Sequence, residues 1–227
     1  MSATILTIGA GSTIGPGVTL KVPVQKYSLA WDGTERYIQI TGNRSDWNLG
    51  DTWTIEWWEK LPDGGEGTYR GIIGQSVGDT CLDVWHNAGF INLSNAEIQF
   101  TQPTAGVWHH IAVQKDGHYV WAYIDGVLQN LVRNNSGAST YTNSSLDLII
   151  GDRTFNGADP LSQTFNGLLA NIKISNVSRY SGAFTPSIAL TTDANTVLAL
   201  SGELVDLTGR HTINTINGIG TSTDFPS

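Results

Sequence analysis

The acidic side chains decide whether the sequence contains the site of a retaining glycosidase, which needs two carboxyl groups about 5–5.5 Å apart. Glu56 and Glu59 lie three positions apart in a run of strand-forming residues, which predicts opposite faces of one strand. Glu97 has no acidic neighbour within ten residues on either side. The sequence therefore predicts a protein that is not an enzyme. A carboxyl pair drawn from separate strands is the alternative that it leaves open.

The histidines and the cysteine do not form a predicted nucleophile–base pair either. His109 and His110 are adjacent in a predicted strand, so their rings should diverge to opposite faces. Cys81 is the single cysteine, which excludes an intramolecular disulfide and a zinc site built from several thiolates. We expect no catalytic residues.

Aromatic side chains form the candidate binding surface. The dipeptide Asp116-Gly117 is a two-residue turn signal that would pair Lys115 with His118. Because side chains alternate along a strand, the flanking strands then have one apolar face for the core and one polar-aromatic face. That second face, which Trp58 joins if its strand is a neighbour, has six candidate carbohydrate-binding residues: Tyr119, Trp121, Tyr123, Gln114, His110 and Trp58.

Such a face suits a sugar for a physical reason. Residues two apart on a strand are about 6.6 Å apart, close to the length of a sugar ring. Aromatic faces stack on apolar groups, while polar neighbours exchange hydrogen bonds with hydroxyls. The alternative is that a loop covers the face and the rings simply pack beneath it.

Short strands separated by turns must position this face. From residue 27 onward, runs rich in β-branched and aromatic residues alternate with Gly, Asn, Asp or Pro clusters, without a convincing helix. Asp32-Gly33 is a hairpin-type turn signal between the first two strands. So many short strands predict an all-β fold, an antiparallel sandwich or jelly roll. The predicted strands are Tyr27–Trp31, Tyr37–Thr41, Trp53–Leu61, Gly71–Ser76, Cys81–His86, Phe90–Leu93, Glu97–Thr101, Trp108–Lys115, Tyr119–Leu128, Leu146–Ile150, Leu168–Ser175 and Thr196–Leu200.

Composition narrows the class of protein. The chain has 227 residues, 40% of them hydrophobic, which suits one β domain with a full core. With 20 acidic against 12 basic residues, its net charge of −8 argues against nucleic acid as a partner. The N-terminus lacks the basic start of a signal peptide, and no window reaches about 18 apolar residues, so no membrane insertion is expected.

Residues 1–25 differ from the jelly-roll region, residues 26–227, and are predicted to be a Gly-rich N-terminal docking arm. Ile8-Gly9, Ile14-Gly15 and Leu20-Lys21 recur every six residues, the spacing of hexapeptide β-helix repeats. Three such units close about one coil, which cannot bury its own apolar side. We expect the arm to dock on a neighbouring subunit; a Gly-rich arm with accidental apolar alternation is the alternative.

Five motifs follow one another in an order that a known family shares. They are Ala30-Trp31-Asp32-Gly33 with Tyr37-Ile38-Gln39-Ile40, Trp53-Thr54-Ile55-Glu56-Trp57-Trp58, Trp108-His109-His110-Ile111-Ala112-Val113 with Tyr123-Ile124-Asp125-Gly126, Ile149-Ile150-Gly151, and Phe165-Asn166-Gly167-Leu168-Leu169-Ala170. In order and spacing they resemble the concanavalin A-like lectin/glucanase superfamily, in its laminin G and pentraxin-like branch. The resemblance implies a two-sheet antiparallel jelly-roll sandwich.

The same resemblance raises the question of calcium, which pentraxin-like relatives bind in the loop after the Ile-Gly strand. Arg153 and Phe155 stand where those relatives have oxygen donors, so a double site is not expected. A single calcium ion, which takes six to eight oxygen ligands, is left open. Its candidate ligands are Asp152, Asn156, Asp159 and Gln163.

The end of the chain resembles the ending of bacteriophage virion proteins in this branch. It contains Ser178-Arg179-Tyr180, Phe184-Thr185-Pro186, Asn195-Thr196-Val197-Leu198, and Asp206, Gly209 and His211-Thr212-Ile213. The resemblance implies a non-enzymatic virion structural protein, a tail-fibre or capsid appendage that assembles in the host cytoplasm and lies on the particle exterior.

Its expected partners are other virion subunits, further copies of itself and host-surface glycans. A purely architectural decoration or cement protein that binds no sugar is the main alternative, and a glycoside hydrolase is the third.

Overall fold

The computed structural model describes residues 27–62, 69–75, 82–93, 98–134, 141, 146–153 and 163–227. The predicted arm and Cys81 lie outside these residues. The helical element there is one short 3-10 turn, Arg44–Trp47, and no helix among them is long and apolar enough to cross a membrane. Their strands are β1 (Ser28–Asp32), β2 (Tyr37–Thr41), β3 (Thr52–Lys60), β4 (Arg70–Gly74), β5 (Asp83–Asn87), β6 (Phe90–Leu93), β7 (Ile98–Thr101), β8 (Trp108–Asp116), β9 (Tyr119–Ile124), β10 (Val127–Leu128), β11 (Arg133–Asn134), β12 (Leu148–Ile150), β13 (Asn166–Ser175), β14 (Thr196–Leu200), β15 (Thr212–Ile216) and β16 (Gly220–Ser222).

The strands form two antiparallel sheets. The first sheet has the order β10-β9-β8-β3-β13-β1-β16, with β14 paired to β13. The second has the order β11-β7-β6-β5-β4-β12-β2-β15. The prediction of an all-β, two-sheet antiparallel sandwich is therefore confirmed. Sequence reasoning missed β11, β15 and β16, of which β15 and β16 each close one edge of a sheet.

Strand β3 shows how alternation builds the core. Its side chains Trp53, Ile55 and Trp57 are fully buried and belong to one cluster with Ile38 and Ile40 of the second sheet. Full burial of a large apolar side chain stabilises the fold by about 1.5–3 kcal/mol. The intervening side chains of β3 point to the opposite, outer face of the first sheet, where the candidate site lies.

The turn at Asp32-Gly33 is not a hairpin, so that prediction is wrong. Strand β1 pairs with β13 and β16 in the first sheet, whereas β2 pairs with β12 and β15 in the second. The turn instead crosses between the sheets, and the Gly33 N–H donates to the carbonyl of Phe165 at 3.1 Å. Both Trp31 and Ile38 can then face the same core from opposite sheets.

The β8–β9 hairpin forms, with a register that differs from the predicted one. Asp116 pairs with Tyr119, so the two loop residues are Gly117 and His118 rather than Asp116 and Gly117. Gly117 has a φ of 58° at the first loop position, where a type II′ turn requires glycine. Val113 consequently pairs with residue 122, two positions beyond the predicted partner. An even shift leaves each side chain on its predicted face.

Candidate functional site

The structure brings the six predicted carbohydrate-binding residues onto one surface, the outer face of the first sheet. Strands β3 and β8 are neighbours, which was the condition for Trp58 to join the predicted face, and Trp58 pairs with His110. In the β8–β9 hairpin Gln114 pairs with Trp121. Tyr119 and Tyr123 lie two positions to either side of Trp121 and share its face.

A twenty-residue segment crosses this face between β13 and β14. We call residues 176–195 the strap. The Thr54 hydroxyl donates to the carbonyl of Val177 at 2.7 Å, and the Gln114 amide donates to the carbonyl of Tyr180 at 2.5 Å. The Gln114 side-chain oxygen accepts the N–H groups of Arg179 and Tyr180 at 3.1 and 2.9 Å. Side chains of the sheet thus hold the backbone of the strap.

The strap divides the six residues into two groups. His110, Gln114 and Tyr123 are only 3%, 1% and 2% exposed, so they support the surface from below. Tyr119 is 67% exposed, and Trp121 and Trp58 are half-buried. The alternative expectation, that a loop covers the face and the rings pack beneath it, thus describes three of the six residues.

Aromatic rings pack the strap onto the sheet. Tyr180 and Phe184 stack with ring centroids 3.6 Å apart, and Tyr123 meets Phe184 edge-on at 5.4 Å. Burial, followed by the charge of Glu56, raises the pKa of the Tyr180 phenol, which stays protonated and donates to the Glu56 carboxylate. The strap is therefore a packed part of the site.

On one side of the strap lies an open groove of about 430 Å³, here called the Trp121 groove. Trp121 meets the exposed ring of Tyr119 at a centroid distance of 5.7 Å. An aromatic wall beside a carboxylate and two hydroxyls can stack on apolar groups and exchange hydrogen bonds with polar ones. The groove is lined by Asp116, Trp121, Tyr123, Ser178, Arg179, Tyr180 and Ser181.

The charges of the Trp121 groove are partly neutralised. The Arg179 guanidinium binds both carboxylate oxygens of Asp193 at 2.9 Å, and its Nε donates to Ser175 at 2.6 Å. This pairing raises the pKa of Arg179 and holds that of Asp193 well below its usual range. Asp116, within the part of the chain that the structure describes, has no ion-pair partner. The groove is therefore slightly negative.

On the other side of the strap lies a smaller cavity of about 90 Å³, here called the Lys173 pocket. Glu56 accepts a short hydrogen bond from Tyr180, lies 3.4 Å from His110 Nε2, and lies 3.8 Å from the Lys173 ammonium. Burial alone would raise the pKa of Glu56, but the hydrogen bonds from His110 and Tyr180 outweigh it and lower the pKa. The lining residues are Glu56, Trp58, His110, Asn171, Lys173, Tyr180, Ser187, Ala189, Leu190 and Thr191.

Of the four predicted calcium ligands, the structure describes Asp152 and Gln163. Asn156 and Asp159 lie outside the described residues. Asp152 is fully buried, and its oxygens accept the Arg153 N–H at 2.6 Å and the Thr164 hydroxyl at 2.7 Å. Gln163 accepts a long contact from Arg153 at 3.5 Å. Within the described part of the loop the carboxylate is engaged by protein donors, and no group of three or more His, Cys, Asp or Glu surrounds it.

The carboxyl groups are placed as predicted from the alternation of β3. Glu56 faces the strap, whereas Glu59 is fully buried on the core face, where it accepts from Trp57 at 2.8 Å and meets His86 at 3.1 Å. Among the residues that the structure describes, each of the two surface sites has a single carboxyl group in its lining, Asp116 in one and Glu56 in the other. Neither arrangement supplies the pair that a glycosidase needs.

Sequence reasoning missed the strap residues and both residues of β13 in the pocket. Arg179, Tyr180 and Phe184 entered only as parts of motifs, and Asn171 and Lys173 not at all. One signal was available: twenty residues without strand pattern between two strands form a connection longer than most, and such connections are often functional.

Comparisons with known proteins agree with this architecture. A family model described as the Concanavalin A-like lectin/glucanases superfamily matches residues 32–183. No curated protein matches the chain. A Bacteroides ovatus structure, described provisionally as a carbohydrate binding protein, has a TM-score of 0.67 at 15% identity, with 87% of this chain and 60% of that chain covered.

A second solved structure extends the comparison. The native heptameric SAP-like pentraxin from Limulus polyphemus has a TM-score of 0.54 at 12% identity, with 88% of this chain and 96% of that chain covered. Identities this low show the fold alone, and the predicted bacteriophage setting stays a prediction. The family model matches more than half of this chain, which therefore belongs to the concanavalin A-like lectin/glucanase superfamily.

Proposed function

We propose that this chain is a non-enzymatic, lectin-like recognition domain on the exterior of a bacteriophage particle, in a tail fibre or capsid appendage, and that it binds host-surface glycans in the Trp121 groove. The observation that supports this proposal is the groove itself, with its half-buried tryptophan, carboxylate and hydroxyls in about 430 Å³. Ligand sites usually enclose about 300–1,000 Å³. The carbohydrate-binding description of the Bacteroides ovatus neighbour accords with it.

The groove favours a neutral sugar. The face of Trp121 would stack on the apolar side of a pyranose ring, and Tyr119 would extend that platform. Asp116 would accept hydrogen bonds from hydroxyls, whereas Arg179 already donates from Nε to Ser175 and from each terminal nitrogen to Asp193. An acidic sugar would meet the unpaired carboxylate, so sialylated or uronic glycans should bind less well.

Trp121→Ala is expected to weaken glycan binding at least about tenfold, because aromatic residues at the centre of a site contribute most of its binding energy. A glycan array and host-cell binding assay on wild type and variant would measure the loss. Tyr69→Ala, which removes an aromatic side chain that is 47% exposed outside the groove, is the matched control. Equal binding by wild type and Trp121→Ala would contradict the proposal.

Chelation should leave this binding unchanged, because Asp152 is buried and engaged away from the groove. The same array run with calcium and with a chelator checks this expectation. Binding that disappears with the chelator would move the site to the loop that follows β12. Absence of new reducing ends after incubation with the bound glycan would accord with a non-enzymatic role.

The virion setting is supported by sequence features alone, namely the predicted arm at residues 1–25 and the C-terminal motifs. Antibodies against the chain should label phage particles assembled in cells that produce it, and deletion of residues 1–25 should abolish that labelling. Labelling that survives the deletion would show that the arm is not the anchor.

A purely architectural role is the second candidate, and one observation favours it. Val127 and Leu128 form the edge strand β10 of the first sheet and are 60% and 55% exposed; Val132, whose N–H donates to the carbonyl of Gln99 in the second sheet, is 60% exposed. Exposed apolar side chains at a sheet edge suit contact with another subunit. A folded protein that binds no glycan yet still attaches to particles would select this role.

A further inference from the structure

The Lys173 pocket contains polar groups that the protein leaves unsatisfied. Among the described residues, Asn171 Oδ1 and His110 Nδ1 have no hydrogen-bond partner, although the two residues are only 5% and 3% exposed. Lys173, likewise within that part of the chain, makes no hydrogen bond, and its ammonium lies 3.8 Å from Glu56. A buried polar group without a partner is costly and calls for a missing water or ligand.

The backbone of β13 is distorted so that these groups face the pocket. Pairing with β3 shifts between Ala170 and Lys173, which makes Asn171 an extra residue in a bulge. Asn171 has a φ of 51°, in the left-handed region that asparagine enters more readily than most residues other than glycine. Without the bulge, alternation from Ala170 would turn Lys173 toward the core. Bulges and unusual φ values of this kind concentrate next to functional sites.

Charge and size restrict the occupant. Glu56 and Lys173 have opposite charges, so an added cation would meet Lys173 and an added anion would meet Glu56. The pocket offers an acceptor without a partner on Asn171 and, on Lys173, an ammonium that contacts Glu56 as an ion pair and makes no hydrogen bond within the described part of the chain. A cavity of about 90 Å³ beside the half-buried Trp58 ring holds a small group and not a whole oligosaccharide.

We propose that the Lys173 pocket binds a neutral hydroxyl-bearing group, such as the hydroxymethyl arm or vicinal diol of a sugar. A hydroxyl can accept from the Lys173 ammonium and donate to Asn171 Oδ1, which satisfies both groups at once. The inference deepens the proposed function, because it adds a second sugar subsite across the strap from Trp121. Of the residues that line the groove, only Tyr180 is shared.

The test is a titration of the ¹⁵N-labelled full chain with glycerol, methyl glucoside, acetate and inorganic phosphate. Glycerol and methyl glucoside should saturably shift the Asn171 side-chain amide and the Trp58 indole resonances, whereas acetate and phosphate should not. Lys173→Met keeps the chain length and removes the donors, and it should weaken binding about tenfold, the loss expected for a hydrogen bond from a charged group. Lys173→Arg should retain most of the binding.

Three results would overturn the inference: unchanged binding by a folded Lys173→Met variant, tighter binding of phosphate than of methyl glucoside, or no saturable shift with any probe. Trp121→Ala separates this inference from the proposed function. That variant should lose binding to arrayed glycans while its pocket still responds to methyl glucoside. Loss of the pocket response in Trp121→Ala would also count against a separate subsite.

Discussion

Replacing Asp206 with alanine is expected to lower the free energy of unfolding by about 3–5 kcal/mol, a large part of the stability of an ordinary domain. Asp206 is 6% exposed. Its carboxylate accepts backbone N–H groups from Ala199, Thr208 and His211 at 3.0–3.2 Å, and the Thr208 hydroxyl at 2.6 Å and the His211 ring at 2.8 Å. Alanine would remove the one acceptor that all of these donors share.

The same carboxylate positions a buried cluster. The His211 ring lies between Asp206 and Asp46, 2.8 and 3.3 Å from their oxygens, and stacks on Trp47 at a centroid distance of 4.7 Å. This cluster ties the start of β15 to the 3-10 turn. Glu203→Ala, which removes an exposed carboxylate from the same turn, is the matched control and should change stability by less than about 0.5 kcal/mol.

Asp206 also makes stability depend on pH. Burial alone would raise its pKa, but hydrogen bonds from His211 and Thr208 outweigh burial and hold the pKa well below its usual range. With a depressed pKa in the folded state, the stabilisation is present above about pH 4 and is lost as the pH falls further. Urea unfolding across the acid range should show this loss in wild type and a smaller loss in Asp206→Asn. Parallel profiles would contradict the assignment.

Arg153→Met is expected to have the second large effect, again about 3–5 kcal/mol, because it leaves a buried charge without its partner. Asp83 is fully buried, and Arg153 is 5% exposed. The guanidinium donates from Nε and Nη2 to Asp83 at 2.9 and 2.8 Å, and it lies 3.8 Å above the ring of Trp85. The ion pair fixes the end of β12 against β5.

The pH dependence of Arg153→Met should run opposite to that of Asp206. Burial raises the pKa of Asp83 to about 6, although Arg153 opposes the shift. An acid with a raised pKa in the folded state favours folding below its unfolded pKa of about 4, and this contribution is lost as the pH rises through about 6. Removal of Arg153 should raise the pKa further, so the destabilisation should be small in acid and largest at neutral pH.

A double-mutant cycle measures the pair directly. Asp83→Asn combined with Arg153→Met removes the unpaired charge and should recover part of the stability lost in Arg153→Met. Urea unfolding of the four proteins at acid and neutral pH gives the coupling energy. A loss in Arg153→Met that is equal at both pH values would show that packing on Trp85, and not charge, explains the effect.

Strand positions and faces could be predicted because their signal is local. Alternation of Trp53, Ile55 and Trp57 marks a core face whatever the neighbouring strand is. The β8–β9 register was predicted two residues away from the real one, yet the faces survived because the shift is even. The hairpin prediction at Asp32-Gly33 was wrong because strand pairing is not local. A turn signal shows where the chain turns but not which strand β2 will pair with.

The sheet residues of the candidate site could be predicted from the sequence, and the strap and bulge residues could not. Trp58, His110 and Trp121 could be assigned to one face from their spacing, since each lies on a strand with a clear core face. The length of the strap could be seen in the sequence, but its path across this face could not, because its backbone is held by Gln114, which lies 66 residues away from Tyr180 in sequence. Lys173 and Asn171 were missed because a bulge reverses the alternation from which faces are inferred.

By itself, the sequence determined the all-β class, the core faces of the main strands and the separation of Glu56 from Glu59, because period-two alternation acts over a few residues. Only the tertiary structure decided which aromatic rings remain at the surface, where the Trp121 groove and the Lys173 pocket form, and which charges are paired. These features depend on contacts between distant segments, such as Gln114 with the strap and Arg153 with Asp83, and no local pattern encodes them.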